Sequence, residues 1–374
     1  MEFANNFTLN RHTKAVNVLA VSKHGSLLLT GGNDGRVVVW SLTSGEMIQE
    51  IHSPAAGYIS AIIWADVDDR GETMFAFGAS DGNIQMYERI NDALFEFRSA
   101  TIGHLGAIES LAWDPNYCRL ASAGDGHPQV WNLTPDKTFT PMVSQPEKQV
   151  YVARTVHFYD KGASLLVSYL ESGDVFCYSI EPWDLKWHKK VSSRIGNTAL
   201  DGNYLLVSNL KDGVDKYAIP NLTRVQSFNH VILRNIPLQI SVARQSGLLF
   251  VGGDDGFARI FDYTTGAYRG QLDHGSRGDC ITPVVSHEGR SKCLVITGTC
   301  LNGHSSVKVW GESDVMPEEH VASLSSPSPS TAVQLVWFAI ICVLVNALMH
   351  ALQSGAFSTL YVILRHARIP FVEY

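Results

Sequence analysis

One unit recurs from residue 11 to residue 310, and that period constrains the fold more than any other feature. Each unit opens with an alternating apolar run and a turn. A second apolar run follows and ends in small or hydroxyl residues. A Gly/Asp turn then leads into a third run that closes on an aromatic. The closing aromatics are Trp40, Tyr87, Trp131, Tyr178, Tyr217, Phe261 and Trp310, about 39 to 49 residues apart. Four strands of ordinary length and three turns fill such a period. The runs alternate or are wholly apolar over four to six residues, which is a strand pattern.

Asp-Gly and Asn-Gly pairs mark the turns at Asp34-Gly35, Asp81-Gly82, Asp125-Gly126, Asp212-Gly213, Asp255-Gly256 and Asn302-Gly303. Such pairs supply the positive φ angles that tight hairpins require. No amphipathic helical pattern appears before residue 330, so the chain reads as all-β up to that point.

These units resemble WD40 repeats, whose signature combines a Gly-His pair, an Asp in an Asp-Gly turn and a closing Trp-Asp. The resemblance covers residues 7 to 310. It is strong in the first, third and sixth units, moderate in the second and seventh, and poor in the fourth and fifth. Trp-Asp itself is absent, replaced by Trp40-Ser41, Trp131-Asn132, Phe261-Asp262 and Trp310-Gly311. Gly-His heads a unit only at Gly103-His104. The resemblance implies a seven-bladed β-propeller over residues 1–311. A single blade cannot bury both of its faces, so blades stack around an axis and the ring closes. In this family an N-terminal strand completes the last blade, and Phe3 to Leu9 is placed to do so beside the strand ending at Trp310.

His, Ser/Thr and Asp recur together as His12, Thr30 and Asp34, and again as His104, Ser122 and Asp125. Such trios invite a catalytic reading. The resemblance implies a structural one, a buried network completed by Trp40 and by Trp131. Repetition favours structure, because an enzyme needs one site. The family resemblance also implies a partner-binding rim at the residues before the turn Asp, here Asn33, Ser80, Lys211 and Asp254. The plain alternative for each is an ordinary polar turn residue.

Other chemistries find little support. Asp66, Asp68 and Asp69 lack EF-hand spacing and its closing Glu, so a solvated loop is the expectation. His127, His157, His274, His287 and His304 show no zinc-binding spacing. No phosphate-binding glycine motif occurs, and no cofactor is expected. A net charge of −7 without a basic stripe gives no reason to expect a nucleic-acid partner. Six cysteines without a C-x-x-C pair suit buried thiols in a reducing compartment better than a disulfide framework. The first residues lack the apolar core of a signal peptide, so the sequons at Asn6, Asn132 and Asn221 read as chance matches.

Composition changes after Trp310. Residues 312–331 are polar and dense in Ser and Pro, as in a flexible linker. Ala332 to Met349 then carries no charge, and a second apolar stretch runs from Ala356 to Leu364. Eighteen apolar residues are enough to suggest a membrane span. A single helix over residues 332–364 would run about 50 Å against a hydrocarbon core of about 30 Å. The tail is therefore expected to be one span with an interfacial segment, or a hairpin. Arg365 and Arg368 beyond it fit the hairpin better, since basic flanks favour the cytosolic side. The alternatives are a greasy helix packed on a partner, or a tail that is an artefact of the gene assignment. The expected protein is a non-catalytic scaffold for protein partners, held on the lipid bilayer through residues 332–364 with its propeller in the cytosol. The alternative is a membrane-anchored regulator of a small GTPase that promotes nucleotide exchange.

Overall fold

The computed structural model describes residues 2–67, 71–91, 93–142, 148–276, 278–289, 292–300 and 305–313, with Val343 and Val345. Asp68, Asp69, the Asn302-Gly303 turn, His304 and nearly all of the expected linker and apolar tail lie outside the described residues. The chain divides into two compact units, Met1–Ser313 and Asp314–Tyr374.

The first unit is built from seven four-stranded antiparallel sheets, numbered here as blades 1 to 7. Blade 1 comprises Val16–Val21, Leu27–Gly32, Arg36–Ser41 and Met47–His52, paired in that order. Blades 2 to 6 repeat this layout, with first strands Ile59–Trp64, Ser110–Asp114, Ala153–Tyr159, Asn197–Asp201 and Ile240–Ala243. Blade 7 contributes Val284–Glu288, Cys293–Gly298 and Val307–Glu312 from its own unit. Its outermost strand is Phe3–Leu9, antiparallel to Val307–Glu312, so the two ends of the propeller share one sheet. The first strands contact one another in sequence around the ring, and those of blades 7 and 1 also meet.

The burial pattern explains why the blades stack. Every residue of the second strand is buried in blades 1 to 4, as in LLLTGG, MFAFGA, RLASAG and SLLVSY. These strands have neighbours on both faces, so continuous apolar runs replace alternation. Seven apolar clusters fill the spaces between adjacent blades, one for each interface. The cluster between blades 7 and 1 joins Leu9, Val16, Leu28, Ile296 and Val307. Gly31 and Gly78 set the approach distance. A Cβ at Gly31 would lie 2.6 Å from Ile59 of blade 2, and one at Gly78 would lie 2.5 Å from Ile108 beside blade 3.

The closing aromatics mark irregularities in the ladder. Between third and fourth strands the register shifts at Trp40, Tyr87, Tyr178, Tyr217 and Phe261. A bulge bends the strand and increases its twist, as a fan-shaped blade requires.

Candidate functional site

In each blade the loop entering the first strand and the turn between the second and third strands lie at the same end, because neighbouring strands run antiparallel. That end of the ring holds every candidate rim residue and both predicted networks.

Blade 1 assembles its four residues into a chain of hydrogen bonds. Trp40 Nε1 donates to Thr30 Oγ1 at 3.0 Å, and His12 Nε2 lies 2.7 Å from the same oxygen. His12 Nδ1 lies 3.1 Å from Asp34 Oδ1, and the Thr13 backbone N–H donates to Asp34 Oδ2 at 2.8 Å. Burial opposes ionisation of Asp34, but the His12 hydrogen bond and the Thr13 and Arg36 backbone donors more than offset it, holding the carboxyl at about 2. One proton arrangement satisfies every group: the indole donates to the hydroxyl, the hydroxyl to Nε2, and Nδ1–H to the carboxylate. A nucleophilic triad has the same order of groups. Here Thr30 is 0% exposed, so no substrate reaches its oxygen. The network pins the entry loop and the hairpin turn to the third strand.

Blade 3 joins only three of its four residues. His104 Nε2 and Trp131 Nε1 both meet Ser122 Oγ, at 2.9 and 3.0 Å. Asp125 does not reach His104; it pairs with Lys148 at 2.7 Å, and His104 Nδ1 has no partner. Turn length is the cause. Three residues, 33–35, separate the second and third strands of blade 1, but only Asp125 and Gly126 separate them in blade 3. With φ of 47° and 81° they form the two-residue hairpin that positive φ angles allow, and Asp125 is turned away from the ring. Burial, together with neighbouring His127, pushes His104 down to about 4. The two rings lie 4.7 Å apart.

A third network lies in blade 7, built on His274, one of the histidines without zinc-binding spacing. His274 Nδ1 lies 2.6 Å from Thr297 Oγ1, which accepts Trp310 Nε1–H at 2.8 Å. Ser306 Oγ, 3.1 Å from His274 Nε2, stands where an Asp was expected. Its signal was present in Thr297 and Trp310, but the longer turn between them obscured the spacing.

The four rim positions differ in environment. Asn33 is exposed, and its side-chain oxygen accepts from Asn17 at 2.7 Å. Ser80 Oγ accepts from the Tyr58 backbone N–H at 3.1 Å and so fastens the loop into blade 2. Lys211 is exposed, in a turn held by Asn209 Oδ1. Asp254 is 1% exposed, so it presents no rim surface. Its carboxylate accepts the backbone N–H groups of Leu233 and Arg234, the service Asp34 performs for Thr13. The sixth-blade turn carries two aspartates, and Asp255 pairs instead with Arg259 at 2.6 Å. Asp66 accepts from the backbone N–H groups of Thr73 and Met74, closing its own loop. Among the described residues no cluster of His, Cys, Asp or Glu is placed to hold a metal ion.

At the centre of this face is a cavity of about 450 Å³ to which all seven blades contribute, among them Asn17, Tyr58, Glu109, Arg154, Asn197, Gln239 and Cys280. Its wall is polar and self-paired. Arg154 joins Glu109 and donates to the Gly196 carbonyl at 2.9 Å, and Gln239 Nε2 reaches the Asn17 carbonyl at 3.1 Å. Apolar side chains surround it on the entry loops. Leu105 is 90% exposed and Val150 97%, with Tyr58, Tyr151, Val231 and Leu233 also exposed.

The blade count and the closure define a seven-bladed propeller, and the buried His–hydroxyl–Trp links of blades 1, 3 and 7 agree with the WD40 repeats that the family comparison finds in it. The family model for the WD domain, G-beta repeat, matches residues 4–41 and 96–132. Over 80 residues the chain is 35% identical to the probable cytosolic iron-sulfur protein assembly protein 1 of Lodderomyces elongisporus, covering 21% of this chain and 19% of that protein. It is 25% identical over 190 residues to Protein HIR1 of Cryptococcus neoformans var. neoformans serotype D, covering 46% and 21%. A guanine nucleotide-binding protein subunit beta-like protein of Encephalitozoon cuniculi is 25% identical over 125 residues, covering 33% and 36%. The matched region therefore spans between about a fifth and about a third of these relatives' own lengths.

Proposed function

We propose that the propeller is a non-catalytic platform that gathers protein partners on the face formed by its entry loops. The observation that carries this reading is the set of exposed apolar side chains around the central cavity, led by Leu105 and Val150. Apolar groups displayed on a rigid frame are what a protein interface uses at its core. The buried networks support the same reading, because they fix the backbone of loops that would otherwise be free to move. The test is affinity capture with the folded protein beside a variant carrying Leu105→Asp and Val150→Asp. Partners retained by the first and lost by the second are expected; an identical set on both refutes this face as the platform.

We further propose that residues 332–364 tether the platform to a membrane, with the propeller on the cytosolic side. Support comes from the uncharged run Ala332 to Met349. Among the described residues no helix is long and apolar enough to cross a membrane. Carbonate extraction decides the matter: the full-length chain is expected in the pellet and a chain ending at Ser330 in the supernatant. Release of both removes the tether. The alternative of a nucleotide-exchange regulator rests on this layout alone and is checked by nucleotide release from candidate GTPases.

A further inference from the structure

Two cysteines meet in the wall of the central cavity. Cys280 lies in the loop entering blade 7, and Cys300 lies just beyond that blade's second strand. The Cys300 backbone N–H donates to the Cys280 carbonyl at 2.8 Å. Their side chains also meet, the two thiols sharing a hydrogen bond. The two sulfurs therefore already face each other, as a disulfide requires. Both residues line the cavity and both thiols are free; Cys300 is half-buried, and Cys280, 1% exposed, lies behind it. The Cys280 sulfur accepts an N–H from the Arg234 guanidinium at 3.2 Å. Burial pushes the Cys300 thiol up to about 11; a hydrogen bond with Thr282 works against this and the nearby Cys280 adds to it. Cys300 therefore keeps its proton at neutral pH. Cys118 and Cys177 belong to blades 3 and 4, and Cys293 opens the opposite end of the strand that leads to Cys300.

We infer that Cys280 and Cys300 form a reversible redox pair, positioned by Arg234, that closes to a disulfide when it meets a hydroperoxide. The chemistry balances in two steps. The Cys300 sulfur, the more exposed of the two, attacks the O–O bond of hydrogen peroxide, takes one oxygen as a sulfenic acid and gives its proton to the other, which leaves as water. The buried Cys280 sulfur then attacks the sulfenic sulfur, forms the S–S bond and loses its proton, while the sulfenic oxygen leaves as the second water. Two thiols are oxidised by two electrons and the peroxide is reduced. Arg234 holds the Cys280 sulfur through a charge-assisted hydrogen bond. The bond would join the loop into blade 7 to the loop between that blade's second and third strands, across the cavity wall.

The experiment uses the full-length chain. Hydrogen peroxide is added, remaining thiols are blocked with N-ethylmaleimide, and tryptic peptides are read by mass spectrometry. Cys293 and Cys300 fall on one tryptic peptide, residues 293–308, so Cys293→Ser is run in parallel. The expected product links that peptide to residues 278–290, persists in Cys293→Ser, disappears in Cys300→Ser, and reverts with dithiothreitol. Arg234→Ala is expected to slow its formation several-fold and Arg234→Lys to restore most of the rate. Two results overturn the pair: both peptides carrying only maleimide adducts after peroxide, or a link that vanishes in Cys293→Ser. A wild-type rate in Arg234→Ala overturns the role given to Arg234.

Discussion

Thr30 has no exposed surface, yet His12 and Trp40 both depend on its hydroxyl. Thr30→Val preserves the shape and leaves a buried indole N–H and a buried imidazole nitrogen without partners. Each such orphan costs about 1–3 kcal/mol, so a loss of about 2–4 kcal/mol is expected in urea unfolding. Trp40→Phe removes the donor as well as the demand for an acceptor, while Thr30 keeps His12. Its effect through this hydrogen bond should be about 1 kcal/mol, and the double variant should fall short of the sum of the two. Additive losses would show that the three groups do not act as one unit.

Titration at the residue scale separates buried histidine from surface chemistry. Burial drives His104 down to about 4 and His274 down to about 3, helped by His127 and Lys308 respectively. Both are neutral in the folded state, whereas an unfolded chain protonates histidine near pH 6.5. Below that pH the unfolded state takes up protons that the fold refuses. The stability these residues lend is complete above about pH 6.5 and drains away as pH falls towards 4 and then 3. Linkage gives about 2 kcal/mol lost for each by pH 5. Urea midpoints measured from pH 7 to pH 4 should fall accordingly; a flat profile across that range would show that neither ring is held neutral. Asp34, at about 2, contributes to acid sensitivity only at lower pH, as its folded-state pKa lies below that of a free carboxyl.

At the scale of the element, turn length decides which networks are complete. The Asp-Gly pairs were legible in the sequence because positive φ restricts the residues a tight hairpin accepts. Whether the Asp faces inward was not legible, since one residue more or less in the turn reverses the answer. Inserting an Asn before Asp125 should convert the two-residue turn into the three-residue form of blade 1 and bring a carboxylate to His104 Nδ1. A gain of about 1 kcal/mol is expected, read from the urea midpoint, with loss of the Lys148 pairing. The same logic explains Asp254 and Asp255, where two adjacent aspartates compete for one structural position and the first wins. Blades 4 and 5 read poorly because Tyr178 and Tyr217 close them in place of Trp, and Val167 and Val207 stand at the register positions where blades 1 and 3 carry Thr30 and Ser122. Their strand spacing nevertheless survives, because stacking demands buried second strands whether or not a polar network is present. Blade 7 kept its hydroxyl and its Trp but spread them 13 residues apart, so the repeat was legible while the hydrogen-bonded pairing within it was not.

For the molecule as a whole, closure is the property on which the others rest. Seven interfaces each hold an apolar cluster, and the one between blades 7 and 1 depends on segments at the two ends of the propeller, about 300 residues apart in sequence. Phe3–Leu9 contributes Leu9 to that cluster and sets Phe3 edge-on against Phe250 at 5.6 Å. Deleting residues 1–10 would expose the edge of Val307–Glu312 and uncover part of two interfaces. An exposed edge strand also offers itself to other chains. In an open repeat array such damage stays local, since each unit touches only its neighbours. In a closed ring it opens the circle, and every interface loses the constraint that its far side is also bound. The deletion should therefore lower the melting temperature of the whole propeller as one transition, by several degrees or more. It should also increase aggregation on heating. Calorimetry distinguishes the cases: a single shifted peak supports cooperative closure, while an unmoved main peak with a small early shoulder would mean that the blades hold one another without the terminal strand.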